Sequence, residues 1–240
     1  MSEPTLATLL EEAERTRKSL VVYGPTESDI VTQFGARNVA VEHRSLPDGG
    51  PDEFVIVRDG DEFRCAIGRE DLQAFLSPPI RQPWDLGLLP PEYRSLFELL
   101  DDTVFGSLNR RQLLATAREL EERAYRLGRG TFRVGFQSLS AFRSQERIYR
   151  RLAEETELDV HVYAVPEAPT EDTSDWPLTF HSEPSDQIGR YWFLLFDGDG
   201  NDEWKCALVA EEQEAGTFYG FWTYDPAIVD RAFEALSEYP

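Results

Sequence analysis

The stretch Leu194 to Glu212, LLFDGDGNDEWKCALVAEE, carries Asp197, Asp199 and Asn201 at alternate positions, the spacing with which oxygen ligands enter a calcium loop. A twelve-residue loop beginning at Asp197 needs glycine at its sixth position and a bidentate glutamate at its twelfth. Asp202 and Leu208 stand there instead, and Leu208 falls on the apolar face of the strand that follows. The segment therefore reads as a β-hairpin turn, and no metal is expected.

Other reactive side chains are scattered. His43, His161 and His181 are isolated in sequence, and the first two alternate with valines as strand residues do. Ser138, in GFQSLS, ends a strand before a helix, where a nucleophile could sit; serine is also a favoured N-cap at such a junction, and the cap is the reading adopted. Cys65 and Cys206 are too few for a disulfide framework or a four-cysteine zinc site. Both fall on apolar strand faces and read as small buried hydrophobes. With no glycine-rich phosphate loop, no G-x-S-x-G elbow and no H-E-x-x-H, neither a catalytic residue nor a cofactor is expected.

Charge says more than these side chains do. The 240 residues hold 45 acidic and 24 basic groups, a net charge of −21, and the only lysines are Lys18 and Lys205. Such a surface repels itself in dilute buffer, whereas at about 1 M salt the screening length falls to roughly 3 Å. The composition reads as adaptation to a salt-filled cytoplasm. Against it, the segment Arg110 to Arg151 has 11 arginines and 4 glutamates. Three readings of that segment stand open: internal pairing with the acidic surface, an anionic small ligand held by guanidinium groups, and nucleic acid. The last is disfavoured, since the counterion-release gain shrinks steeply at high salt.

The elements that position these residues follow from periodicity. Pro4 with Leu6, Leu9, Leu10 and Ala13 opens the chain with an amphipathic helix. A strand at Leu20 to Tyr23, a helix around Asp29 to Phe34 and a strand at Val39 to Val41 come next. FVIVRDGDEFRCAIG gives two strands joined at Asp59-Gly60, and a helix from Arg69 to Phe75 follows. SPPIRQPWDLGLLPP, with five prolines, is the linker candidate. Beyond it a short helix spans Tyr93 to Leu100. Asn109 and Gln112 form a capping box for a helix striped by Leu113, Ala117, Leu120, Ala124 and Leu127 and ending at Gly128, with Glu119/Arg123 and Glu122/Arg126 on its outer face. Strand FRVGF, a helix from Ser140 to Glu154 and strand LDVHVYAV lead to strands at Tyr191 to Phe196, Glu203 to Ala210 and Thr217 to Thr223. A last helix starts after Asp225-Pro226.

FVIVRDGDEFRCAI and FLLFDGDGNDEWKCAL align with a two-residue insertion in the second turn, which pairs Phe54 with Phe193, Glu62 with Glu203 and Cys65 with Cys206. The fold expected is α/β with α+β character: two similar lobes, each a mixed β-sheet flanked by helices, related by a weak internal duplication. The boundaries are residues 1–80 for the first lobe, 81–92 for the linker and 93–240 for the second lobe.

The run from TVFGSLNRRQLLATARELEERAYRLGRGTFRVGFQSLSAF through IYRRL, DVHVYAVPE, YWFLLFDGDGNDEWKCALVAEE and FYGFWTYDP resembles the DICT family of sensory domains over roughly Tyr93 to Asp225. The resemblance implies a signal-input module of the kind joined to diguanylate cyclases, two-component kinases and DNA-binding regulators, and brings no catalytic or ligand residue with it. This chain shows no recognisable output domain and no clear helix-turn-helix in its first lobe, so a stand-alone form is expected.

The function expected is therefore a non-enzymatic sensory or regulatory module that binds a small ligand or a signalling protein. The alternative is a DNA-associated or protein-interaction regulator using the arginine-rich segment. Candidate ligand-binding residues are Arg118, Glu122, Arg126, Gln137, Tyr149, Trp222 and Tyr224. No apolar run approaches the roughly 18 residues of a membrane span, and the acidic start MSEPTLATLLEEAERTRKS does not suit a secretory signal. No membrane partner is expected, and the location expected is cytoplasmic.

Overall fold

Short β-branched runs near the start of the chain build a first sheet, and longer apolar runs after residue 104 build a second. The computed structural model describes residues 4–15, 18–24, 39–47, 50–59, 62–76, 82–85, 101, 104–167, 175–182 and 185–237. The first sheet holds β1 (Lys18–Gly24), β2 (Val39–Ser45), β3 (Phe54–Asp59) and β4 (Glu62–Gly68) in the order β2-β1-β3-β4. Helix α1 (Leu6–Ala13) precedes it and α2 (Arg69–Leu76) follows it. The second sheet holds β5 (Val104–Asn109), β6 (Arg129–Phe136), β7 (Glu157–Ala164), β8 (Thr179–His181), β9 (Tyr191–Phe196), β10 (Cys206–Glu214) and β11 (Thr217–Thr223), in the order β5-β11-β10-β9-β6-β7-β8. Its helices are α3 (Arg110–Leu127), α4 (Leu139–Arg143), α5 (Glu146–Glu155), α6 (Asp186–Arg190) and α7 (Pro226–Ala235). The architecture is the expected α+β one, with two mixed sheets.

The two sheets repeat one unit. β1 runs parallel to β2 and antiparallel to β3, which pairs with β4; β6 runs parallel to β7 and antiparallel to β9, which pairs with β10. The register repeats as well. Val57 faces Cys65 as Phe196 faces Cys206, and Val55 faces Ile67 as Leu194 faces Leu208. Tyr23 faces Phe54 as Gly135 faces Phe193.

Helices α3, α4 and α5 cover one face of the large sheet through Leu113, Leu120, Phe142 and Tyr149, and this apolar cluster continues to Leu20, Val22, Val55 and Val57 of the small sheet. The other face, with Phe193, Leu195, Val209 and Phe221, is covered by α1 and α7. β11 is thus buried on both faces, which accounts for its aromatics pointing both ways.

Several elements differ from expectation. The helix expected from Ser140 to Glu154 is broken at Ser144 and Gln145 into α4 and α5. β5, β8 and α6 were not anticipated, and residues Asp202 to Trp204 form a 3-10 turn where the strand was expected to begin. The outer face of α3 is not exposed: Arg118, Glu119, Glu121 and Glu122 are all buried. Phe63 is 56% exposed, because a bulge at Val57/Arg58 breaks the alternation that would have placed it with Cys65 and Ile67. The helices expected at 29–34 and 93–100, the Gly60-Asp61 turn and most of the proline-rich stretch lie outside the described residues. Within that stretch Trp84 is placed, with Arg151 3.9 Å above its ring and Tyr125 edge-on at 6.5 Å.

One packing contact distinguishes the two copies of the repeated unit. In the small sheet Tyr23 and Phe54 stack at 4.9 Å. In the large sheet glycine replaces the tyrosine, and the Phe193 ring lies where a Cβ of residue 135 would be. Gly135→Ala should therefore lower the unfolding free energy by about 1–3 kcal/mol through overpacking. Urea unfolding in molar KCl measures it, and adding Phe193→Leu should restore part of the loss.

Candidate functional site

β6 has a parallel neighbour on one side and an antiparallel neighbour on the other, so its carboxyl end is where the sheet changes sense. At that end the chain leaves β6 into α4 and enters β9 from α6, and a crevice lies between these connections. Here the crevice is a cleft of about 610 Å³, within the size range of small-molecule sites. Phe136 and Gln137 enter it from the end of β6, Ser138 and Ser140 from the start of α4, Gln145 from the head of α5 and Arg110 from the head of α3. Trp192 of β9, Phe218 of β11 and Glu212 to Ala215 of the β10–β11 turn complete the wall.

Local chemistry holds these residues in place. Ser138 is the N-cap of α4: its Oγ accepts from the Ala141 amide at 3.2 Å and meets Ser140 Oγ at 3.0 Å. The Glu167 carboxylate accepts from the Ser140 amide at 3.0 Å and from its hydroxyl at 3.1 Å. The expected Asn109–Gln112 capping box is formed in both directions, at 3.0 and 3.1 Å, and fixes the head of α3. Gln145 occupies the N-cap position of α5 without capping it. Its Oε1 instead accepts from Arg118 Nη2 of α3.

Behind that wall lies a buried polar network. Arg118 Nη1 donates to Glu121, whose side chain is 0% exposed, and Tyr149 Oη donates to the other Glu121 oxygen at 2.6 Å. Burial and the Glu121 charge push the Tyr149 hydroxyl well above the usual tyrosine range. Burial is the strongest single influence on Arg118 and works against its charge, but Glu121 and Tyr149 together outweigh it and hold the guanidinium pKa up. Of the buried donors left unsatisfied among the described residues, two belong to this network and the cleft floor: Arg118 Nε, and Nε1 of Trp192, a residue only 5% exposed. A buried donor without an acceptor costs about 1–3 kcal/mol, so each such group needs an explanation. The cleft floor is aromatic, with Phe136 and Phe218 each 5.9 Å from Trp192.

The seven candidate residues do not converge on this cleft. Gln137 lines it. Arg118 and Tyr149 meet at Glu121, one hydrogen bond behind the Gln145 wall. Glu122 and Arg126 face each other at 4.0 Å along α3, and Arg126 lies 5.2 Å from the Trp204 ring. Arg123 bridges Trp204 and Tyr224, at 5.5 and 5.0 Å from their rings. Trp222 is 1% exposed and stacks on Phe105 in the core. Trp192 and Gln145 were missed, the first inside an unbroken apolar run and the second inside what reads as one helix. The signal that could have found the cleft is GFQSLS, a strand-to-helix junction rich in small polar side chains.

The remaining chemistry-bearing residues have structural partners. Asp197 Oδ1 accepts from the Thr131 and Asp199 amides at 2.8 and 2.9 Å, Asp199 pairs with Arg129 at 2.6 Å, and Asn201 Oδ1 accepts from the Glu203 amide at 3.0 Å. The alternating oxygens therefore shape the turn between β9 and β10. Many arginines of the basic segment pair internally, Arg143 and Arg150 with Glu146 and Arg151 with Glu155. Burial raises both thiols, Cys206 to about 12. His161 and His181, far apart in sequence, meet through ring nitrogens at 2.9 Å, with Asp159 3.0 Å from the far side of His161 and the Tyr163 ring stacked on His181 at 4.4 Å. Burial, then the neighbouring His161 and Arg133, lower the His181 pKa to about 4.

A mixed sheet flanked by helices, with a cleft beside the end of β6 walled by aromatic, amide and hydroxyl side chains, defines an α+β fold. The chain belongs to the DICT family, described as a sensory domain in diguanylate cyclases and two-component systems, whose family model matches residues 80–213. The match starts inside the proline-rich stretch and stops within β10, so FYGFWTYDP, counted in the resemblance above, lies beyond it. Its role is that of a sensory domain in signalling. No curated protein matches the chain. Among solved structures it is similar to polyphosphate kinase from Porphyromonas gingivalis at 12% identity and a TM-score of 0.33, over 93% of this chain and 46% of that one. A likeness that slight carries no argument about fold or activity. Among the described residues, no helix is long and apolar enough to cross a membrane.

The buried network yields one prediction and the histidine pair another. Glu121→Ala leaves Arg118 charged and buried without a counter-charge, and should cost about 3–5 kcal/mol in urea unfolding. Arg118→Met with Glu121→Leu should recover most of that loss, because a buried pair is often matched by apolar groups of similar size. His181 is held neutral in the fold, so the unfolded chain binds more protons between the unperturbed value near 6.5 and about 4. Stability should fall as pH drops through that window, and His181→Asn should flatten a plot of melting temperature against pH there.

Proposed function

We propose that the chain is a non-enzymatic, cytoplasmic input module that senses a small ligand in the cleft at the carboxyl end of β6. Its occupancy is read out through α3. The observation that carries the proposal is the Gln145–Arg118 hydrogen bond: a residue of the cleft wall, standing where α4 ends and α5 begins, is tied directly to the long helix that crosses beneath the sheet. A ligand changes such a domain only through different affinities for two arrangements. The two arrangements proposed are Gln145 bound to Arg118 and Gln145 turned to the ligand, with α3 shifting against the sheet between them. Of the seven candidate residues, this reading gives a role to Gln137 in contact with ligand and to Arg118, Tyr149 and the helix around them in transmission. The two-lobe division also stands as part of the proposal, with residues 1–80 as a first lobe joined through 81–92, although α1 itself lies on the large sheet.

The internal pairing of the arginines argues against the alternative of a nucleic-acid or partner surface on the basic segment. Screening metabolites by thermal shift in molar KCl tests the reading. A ligand at 100 times its dissociation constant adds about 2.7 kcal/mol of stability. The expected result is at least one stabilising compound whose effect is lost in Gln137→Ala together with Ser140→Ala. A flat screen, or a hit indifferent to those changes, rejects the cleft.

A further inference from the structure

Charge in the cleft wall is balanced, although the chain as a whole carries −21. Two arginines and two glutamates line it: Arg110, Arg190, Glu212 and Glu214. One of each sign is already engaged, since Arg190 pairs with Glu211 at 2.8 Å and Glu212 accepts from the Gly216 amide of its own turn at 2.7 Å. The other two are not. Among the described residues, the side chains of Arg110 and Glu214 have neither a hydrogen bond nor an ion pair, with each other or elsewhere. The fold holds them apart. Asn109 of β5 faces Thr217 of β11, which in turn faces Glu214 of β10, so the two charges stand at the ends of the outer two of three adjacent strands. At roughly 4.8 Å per strand, their backbones are about 10 Å apart. Both positions are fixed by local structure. The Asn109–Gln112 capping box sets Arg110 as the first residue of α3. On the other side a bulge between Glu212 and Glu214 makes Gln213 an extra residue, and bulges of this kind re-aim the side chains beside them.

We propose that the cleft binds a small zwitterion, a short molecule with a carboxylate at one end and an ammonium at the other, the carboxylate meeting Arg110 and the ammonium meeting Glu214. This deepens the cleft reading above and rests on it. The guanidinium fork matches a carboxylate through two parallel hydrogen bonds, and an ammonium donates to the Glu214 oxygens. Gln137 adds an acceptor: its amide nitrogen donates to the Arg190 carbonyl at 3.3 Å, which leaves its side-chain oxygen for the ligand. The same arrangement rejects single ions. An anion alone leaves Glu214 facing nothing and lies near two glutamates; a cation alone leaves Arg110 in the same position. A zwitterion also suits the protein's field. Having no net charge, it is neither drawn nor repelled by the acidic surface, and its two contacts act within the roughly 3 Å over which charge is felt at about 1 M salt.

The full chain, labelled with nitrogen-15 and held in molar KCl, is titrated with a series in which only the charge separation grows: glycine, β-alanine, 4-aminobutyrate and 6-aminohexanoate. Butyrate, butylamine and erythritol serve as the anion, the cation and the uncharged control. The amides of Gln137, Ser140, Gln213 and Ala215 should shift saturably, with one chain length binding best and each control at least fivefold weaker than that member. In Arg110→Gln the best zwitterion should bind no better than butylamine, and in Glu214→Gln no better than butyrate. Both residues are exposed, so the melting temperature of each variant should stay at the parent value. A control that binds as well as the zwitterions, or a preference that survives both substitutions, overturns the proposal. If no member of the series moves the Gln137 and Ser140 amides while some other metabolite does, this ligand class is wrong and the cleft stands. If no compound of a broad panel moves those amides, the sensory cleft falls with it.

Discussion

A carboxylate with none of its surface in water has to be compensated where it stands, and the interior around Glu121 is arranged to do so. Arg118 supplies the charge from one helical turn away and Tyr149 supplies a hydroxyl from α5. The consequence is geometric. The ion pair lies within α3, so moving α3 or α5 alone would keep it but break the Tyr149 and Gln145 hydrogen bonds, leaving buried polar groups without partners, at about 1–3 kcal/mol each. The two helices are therefore held in register with each other, and Gln145, at the head of α5, is held to both through the same guanidinium. The cleft wall and the helix core are one hydrogen-bonded object.

The repeated four-strand unit explains why the cleft belongs to the large sheet. Strand order, sense and register agree between the copies, so the difference lies in what has been added and in single side chains. In the small sheet β4 leads at once into α2, and Tyr23 covers Phe54. In the large sheet β10 continues into a hairpin with β11, β5 adds a further edge, and the tyrosine position is glycine. That glycine lets Phe193 lie close against the end of β6 on one face of the sheet. On the other face of the same strand end, Phe136 and Trp192 pack together at the cleft floor. Close backbone approach beneath and bulky rings above are both properties of positions 135 and 136, adjacent residues that the strand pleat sends to opposite sides.

Much of this was legible in the sequence where the signal is local. The capping box at Asn109 and Gln112, the left-handed Gly128 that ends α3, and the hairpin alignment through Cys65 and Cys206 are each written within a few residues, and the alignment predicted a register that the two sheets share. The elements that were missed are set by tertiary context. β5, VFGSLN, has too little apolar alternation to declare itself and is a strand because β11 pairs with it. β8 has only three residues and depends on β7. The break at Ser144 and Gln145 has no glycine or proline to mark it. The cleft was hidden for a related reason: Trp192 sits in YWFLLF, six residues that are all buried, and nothing in that run says which one ends at an opening. Glu119 and Glu122 read, with Arg123 and Arg126, as the outer face of an amphipathic helix, and Arg118 as a ligand-binding candidate. Arg118, Glu119, Glu121 and Glu122 are buried instead, because one apolar cluster spans α3 and both sheets.

The charge of −21 bears on how such a protein can recognise anything. At low ionic strength its field repels anions over the whole surface; in molar salt that field is confined to about 3 Å, and charge at a distance neither helps nor hinders. Selectivity must then come from contacts made after water has left, where dielectric screening is weak and an unpaired donor is expensive. The arginines fit that requirement. Several are consumed in short pairs with glutamates or laid over rings, as Arg143 and Arg150 are over Trp176, so their fields end locally. The desolvated groups left at and behind the end of β6 include the indole N–H of Trp192 and Nε of Arg118, both without acceptors, three aromatic rings and a glutamine already engaged with the core. The hydrogen bond that closes the wall also ties it to α3, so packing at the cleft and packing of the long helix are not independent.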